Sequence, residues 1–325
     1  MDLAEEVAMT AVNMWSEATF VAAVGDAVWA PSIHNSQPWR FRRTSDGIDV
    51  LVDRRRGLPV CDPDGRAARV SCGAAAYNLR LALAVAGAPA AWTAGTGDAL
   101  VHLVPGSRRP ATPLERSLHR QILRRHTNRS PFADVRVEPG IMVQLAEAAG
   151  DEGGWLHLVD GVPALETVAL LTRKADAQLR ADPAYVAELR QWTLVADDDV
   201  QGIGRHACGA APHDAELMTR RDFGGPAQEV TRDPTPHPVI AVLGFHGEYR
   251  VHDVQSGMVL QRVLLRAADL GLASAMYSQP VEVPAVREQL RLALHRAYAP
   301  QLVLRFGYAP TTCYTNRRPV EDVID

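Results

Sequence analysis

A chain of 325 residues, 47% of them hydrophobic, can bury a sizeable core in one large domain or two of ordinary size. With a formal net charge of -4 and a pI of about 6.3 it carries no global positive field to recruit nucleic acid or an anionic membrane. Four scattered cysteines without a CxxC pair argue against a zinc ribbon or redox dithiol, and the acidic start (Asp2, Glu5, Glu6) with no membrane-length apolar run leads to the expectation of a soluble cytoplasmic protein.

The first pattern is helical, from about residue 3 to residue 29, and Pro31 ends it. APSIHNSQPWRF follows, from Ala30 to Phe41, where Pro31 and Pro38 stiffen the backbone around Ser32, His34, Asn35, Ser36 and Gln37. Two readings stand: a pre-ordered binding loop, or a turn whose Ser32 and Asn35 satisfy nearby backbone groups. WRFRRT and IDVLVDR around SDG predict a β-hairpin. Asp62, Pro63 and Asp64 start a helix that runs from Ala67 to Ala86 and stops at Gly87; it is apolar almost all round from Gly73 onward. PAAWTA and ALVHLVP predict a second strand pair.

A helix from Thr112 to Arg125 runs into RRHTNRSPF, a cluster that suits either a phosphate or the solvated C-terminal end of a helix. A helix from Glu138 to Ala149, a strand from Trp155 to Val159 and helical sequence from Ala164 to Val195, restarted at Asp182 and Pro183, come next. From Ala196 to Thr235 the pattern dissolves into a loop of about 40 residues, of the kind that forms lids or stays disordered. PVIAVLGF, a helix from Asp253 to Leu270, LASAMYS, a helix from Val283 to Leu294 and QLVLRFGY complete an α+β order. The tail, TNRRPVEDVID, places Arg317 and Arg318 before Pro319, as a second phosphate clamp or simply a soluble end.

GAAAYNLRLALAVAGAPA and GMVLQRVLLRAADLGLAS echo each other, with Gly73 and Gly87 in one matched by Gly257 and Gly271 in the other. The echo suggests a duplicated half, while two buried Ala/Leu helices can also look alike by composition alone. GIGRHACG has no preceding strand and the wrong spacing for a dinucleotide loop, and His206, Cys208 and His213 lack an evident fourth metal ligand.

APSIHNSQPWRF resembles the PSxxNxQPWxF segment of the FMN-dependent nitroreductase superfamily, RRHTNRSPF its opening RRSxRxF segment, and RRPVEDVI its arginine-containing end. Ordinary members carry RRSxRxF first; the reversed order here, with SCGAAAYN and SQPVEVP, resembles the Acg subgroup of two fused nitroreductase-like halves. The resemblance covers about Ala30 to Ile324. It implies a nitroreductase-like α+β fold, internally duplicated as residues 1–120 and 121–325, with a lid-like insertion at about 196–235 and a monomer that mimics the usual homodimer.

The same resemblance makes Arg125 and Thr127 ligands of the FMN phosphate or ribityl chain and sets Arg129 near the ring. Pro31, Ser32, Asn35 and Gln37 would close the site from the other half. Arg317 matches the C-terminal phosphate arginine, with Arg318 beside it, and Ala275, Met276 and Ser278 would line the isoalloxazine. The second half reads AAGDEGGWLHLV where the polar loop would recur, which implies one flavin site. The implied activity passes hydride from NAD(P)H through FMN to a quinone or nitroaromatic, with no separate catalytic acid or base and no metal. The alternative is an FMN-sequestering or storage protein whose lid covers the flavin.

Overall fold

The computed structural model describes residues 15–212, 216–225, 239–309 and 314–325. Helix α1 (Glu17–Ala27) starts at Ser16, whose Oγ accepts the Thr19 N–H at 3.1 Å; the part of the first expected helical stretch before residue 15 lies outside the described residues. Strands β1 (Trp39–Arg43) and β2 (Ile48–Val52) form the expected hairpin, and β3 (Ala90–Ala94) and β4 (Ala99–Pro105) complete an antiparallel sheet in the order β1-β2-β4-β3. Ala99, Val101 and Leu103 alternate with partly exposed residues, as one covered face requires. Helix α2 (Arg66–Val85) covers that face, and the Asp62 carboxylate accepts the Ala67 and Ala68 N–H groups at 2.9 Å each.

Helix α3 (Pro113–Arg120) is shorter than its sequence pattern. A Thr112–Glu115 capping box starts it, but Ile122 N–H and Arg124 N–H bond three residues back, to His119 and Gln121, and these tight turns swing Arg125 inward.

The second part contains α4 (Pro139–Gly150), β5 (Gly154–Leu158), α5 (Val162–Ala181) and α6 (Pro183–Gln191). Its sheet is completed by β8 (Val239–Phe245), β9 (Ala273–Tyr277) and β10 (Pro300–Gly307), in the order β5-β8-β10-β9. Both faces are buried. Ala241, Leu243, Leu302 and Leu304 pack towards α4 and α7 (Arg250–Asp269), whereas Ile240, Val242 and Val303 pack towards α5 and α9 (Pro284–Ala293), with α8 (Gln279–Glu282) just before α9. That is why these strands read as unbroken apolar runs. Strand β6 (Thr193–Val195), at the end of the stretch expected to be helical, pairs in parallel with β7 (Ile203–Gly204) in the long loop, an element too short to leave a periodic signal.

The two large sheets have the same strand order when β1, β2, β4 and β3 are set against β5, β8, β10 and β9. Helices α2 and α7 cross where the matched glycines lie. A Cβ on Gly73 would meet Val254 O at 1.9 Å, and one on Gly257 would meet Val70 O at 1.9 Å, the reciprocity of a two-fold contact. Both helices end at left-handed glycines, Gly87 at φ 77° and Gly271 at φ 78°. Each sheet edge also receives a distant segment: Phe41 N–H donates to Val323 O (2.8 Å), and Asn128 N–H donates to Ser274 O (2.8 Å). Among the described residues no helix is long and apolar enough to cross a membrane.

Candidate functional site

The loop between α1 and β1 concentrates backbone strain. His34, Asn35 and Gln37 sit at φ 50°, 55° and 52°, three of the four non-glycine residues with positive φ among the described residues. Each such residue costs on the order of 1–2 kcal/mol, so the surroundings must hold the shape. Ser32 Oγ accepts the Gln37 N–H (3.0 Å), Gln37 Nε2 donates to Val200 O (2.7 Å), and Asn35 Nδ2 donates to Gly202 O (2.9 Å) and Asn316 O (3.1 Å). The long loop and the C-terminal tail are thus both anchored on this one turn.

The turn lines an open cleft of about 1060 Å³, together with Ala275, Met276, Tyr277 and Ser278 from the end of β9 and with Val70 and Leu260 from the crossing helices. The long loop contributes Ile203, Cys208, Arg220, Arg221 and Phe223. A second compartment of about 300 Å³ adjoins it, since Pro31, Ser32, Thr127 and Arg129 line both. Its other lining is polar: Asn35, Arg125, His126, Thr315 and Arg317.

Arg125 is 3% exposed, and its Nη2 donates to Trp29 O (3.1 Å) while Nε and Nη1 are buried without a partner among the described residues. Arg317 Nη1 donates to Asn35 Oδ1 (3.1 Å) and Thr315 Oγ1 (2.7 Å), yet its Nε is likewise buried with no partner among the described residues. Burial, reinforced by neighbouring guanidinium groups, pushes Arg125 down to about 10 and Arg317 to about 9; burial with Arg125 and Arg317 lowers His126 to about 4. Charges of one sign, desolvated together with open donors, are unfavourable until an anion joins them. A phosphate ester fits this donor set.

The larger cleft is electrically different. Arg221, from the long loop, donates through Nη2 to both Glu282 oxygens at 2.8 Å, with the two side chains 6% and 2% exposed. Burial alone would raise the Glu282 carboxyl, but the Arg221 charge reverses this and holds it below its usual value. Arg129 donates to Ala207 O (3.2 Å), and its guanidinium lies 5.3 Å from the Phe223 ring centroid.

Of the residues expected from the sequence, Pro31, Ser32, Asn35, Arg125, Thr127, Arg129, Ala275, Met276, Ser278 and Arg317 come together around the two compartments. Gln37 and Arg318 line neither. Gln37 is fully buried, its Oε1 accepts the Arg318 N–H (2.8 Å), and Arg318 turns away to Asp322 O (2.7 Å) and to Asp53 (3.7 Å). Both brace the turn rather than line either compartment. Arg221, Phe223 and Glu282 were not expected in the site: Glu282 lies in the SQPVEVP segment, where no role was assigned to it, and Arg221 and Phe223 stand in an Arg-Arg-Asp-Phe run inside otherwise polar loop sequence. His206 is engaged by Asp197 (2.7 Å) and Tyr314 O (2.8 Å), and the described residues hold no His/Cys/Asp/Glu group suited to a metal.

No family model matches the chain. It is 30% identical over 315 residues to "Putative NAD(P)H nitroreductase Rv3131" of Mycobacterium tuberculosis (strain ATCC 25618 / H37Rv), covering 92% of this chain and 89% of that protein. It is also 30% identical over 315 residues to "Putative NAD(P)H nitroreductase acg" of the same strain, covering 93% and 94%. Among solved structures, a nitroreductase with bound FMN from Desulfitobacterium hafniense DCB-2 aligns at a TM-score of 0.41 and 16% identity, covering 64% of this chain and 97% of that one.

Proposed function

Because this chain belongs to the nitroreductase family that includes Acg, we propose that it binds FMN and works as an NAD(P)H-dependent oxidoreductase on small quinone or nitroaromatic acceptors. The observation that carries the reading is the junction of two unlike compartments. Buried guanidinium groups with open donors, Arg125 and Arg317, are joined through Thr127 and Arg129 to a wider cleft lined by Pro31, Ala275 and Met276. A phosphate ester tethered to a flat ring has the same division of chemistry.

Arg125, Arg317 and the Thr127 hydroxyl would hold the phosphate and nearby ribityl oxygens, and the end of β9 would line the ring. When bound, FMN supplies reversible two-electron hydride chemistry. The chain's own residues bind, orient and exclude water. Arg129 sets a positive charge at the junction of the two compartments, where it would stabilise negative charge on a bound flavin ring. No side chain is assigned as an acid or base.

The matching sheet orders and the reciprocal Gly73 and Gly257 contacts support reading residues 1–120 and 121–325 as two fused halves in a pseudo-dimeric monomer. The described cysteines Cys61 and Cys72 are buried free thiols, which suits a cytoplasmic setting. A second reading, FMN held without turnover, draws on Arg221 and Phe223 reaching from the long loop into the cleft lining.

Anaerobic mixing of the FMN-loaded protein with NADH or NADPH separates the two. Rapid bleaching of the flavin band supports the oxidoreductase. Flavin that stays oxidised with both reductants refutes it in favour of retention, and a protein that takes up no FMN refutes both.

A further inference from the structure

His34 has no task in the function proposed above. It is 5% exposed, lines the larger cleft and is held at φ 50°. Arg221 Nη1 lies 3.2 Å from its Nε2, and because a guanidinium only donates, Nε2 accepts and the ring proton resides on Nδ1. Arg221 cannot drift from this position easily: both Glu282 oxygens bind it at 2.8 Å, and the Tyr185 hydroxyl holds Glu282 at 3.2 Å. Nδ1 has no protein partner among the described residues and is not among the sealed, unpaired atoms, so it opens on the cleft. The Phe223 ring meets the imidazole edge-on, with centroids 6.3 Å apart and planes at 75°.

We propose that the His34 Nδ1–H is a specificity-determining donor for an uncharged carbonyl or nitro oxygen of a planar ligand in this cleft, with its tautomer set by the Arg221–Glu282 pair. The nature of the ligand rests on the FMN reading; the donor itself does not. Burial and the Arg221 charge keep the imidazole neutral down to about pH 3, so it presents one fixed donor and no positive charge. Glu282 neutralises Arg221, so this cluster favours uncharged oxygens, whereas the Arg125 and Arg317 compartment favours anions. The oxygen comes either from the flavin ring or from the electron acceptor, and two arms of one experiment tell them apart.

His34→Gly keeps the left-handed backbone and removes the donor; His34→Asn keeps both. One arm measures FMN affinity and the flavin absorption band, and the other measures kcat and KM for 1,4-benzoquinone. A donor to the acceptor lowers kcat/KM about 5- to 10-fold in His34→Gly, with FMN affinity within about twofold of the parent, and His34→Asn restores most of it. A donor to the flavin ring produces the same pattern in FMN affinity and shifts the band. Equal values for Gly, Asn and parent in both arms, or equal losses in Gly and Asn, overturn the proposal. Nitrogen-15 NMR of the ring reads the tautomer without flavin or turnover: a proton on Nδ1 that moves or averages in Arg221→Gln is expected, and a proton on Nε2 in the parent overturns it. Failure of the parent to take up FMN would refute the flavin reading while this NMR result still decides the role of His34.

Discussion

Replacing Arg125 with methionine separates a ligand-binding cation from a structural one. Among the described residues the parent guanidinium has one protein acceptor, Trp29 O at 3.1 Å, and two buried nitrogens without partners. Each hydrogen bond from a charged donor is worth about 1.5–3 kcal/mol, so filling two of them with phosphate oxygens gives a loss of at least about 3 kcal/mol, on the order of 100-fold in FMN affinity. Without ligand the sign is opposite. Arg125 is desolvated beside Arg129 and near Arg317, so the apoprotein of Arg125→Met should unfold at the same temperature as the parent or higher. Flavin fluorescence titration and thermal unfolding of the apoprotein measure the two effects. An FMN affinity within twofold of the parent, coupled to a large drop in apoprotein stability, would refute the reasoning.

Arg317→Ala should lower FMN affinity at least about 10-fold, whereas Arg318→Ala should leave it within about threefold while lowering stability by about 1–2 kcal/mol, because Arg318 only ties Gln37 to Asp322 and Asp53; isothermal titration and urea unfolding distinguish them. Gly73→Ala and Gly257→Ala each drive a methyl group into a carbonyl oxygen across the helix crossing, and each should cost about 3 kcal/mol or more in urea unfolding; a change below about 0.5 kcal/mol in either would contradict the close crossing. His34, facing Arg221, Glu282 and Arg129, titrates at about 3, and His126, facing Arg125, Arg317 and Arg129, at about 4, both below the ordinary 6.5. The unfolded chain therefore takes up these protons first, and the stability they contribute, complete above pH 6.5, is lost as pH falls towards 4 and then 3. The urea midpoint should drop over that window, and less so in His34→Asn; an identical slope in that variant would count against the assignment.

Much of the fold was legible because burial imposes a period. The two-sided burial of β8 and β10 showed as continuous apolar runs, and the one-sided burial of β4 as alternation. The paired glycines of α2 and α7 were legible as an echo, although only coordinates reveal that each makes room for a carbonyl of the other helix. The site was half legible. Arg125, Thr127, Arg129 and the turn from Pro31 to Asn35 stood in recognisable motifs, and Arg317 was the better match of the two tail arginines, but a motif does not say which way consecutive side chains point: Arg317 lines the polar compartment while Arg318 turns to Asp322. The roles of Arg221, Glu282 and Phe223 were not legible, even with Glu282 in SQPVEVP, because their partners lie in other segments: Arg221 meets Glu282 only through the path of the long loop, which has no period to read.

The central claim is that the Arg125 and Arg317 compartment holds the phosphate of FMN. Titrating the apoprotein with FMN and with riboflavin, which has the same ring and no phosphate, tests it most directly. FMN should bind at least about 100-fold more tightly, with inorganic phosphate competing against it. Equal affinity for the two flavins, or uptake of neither, would contradict the account.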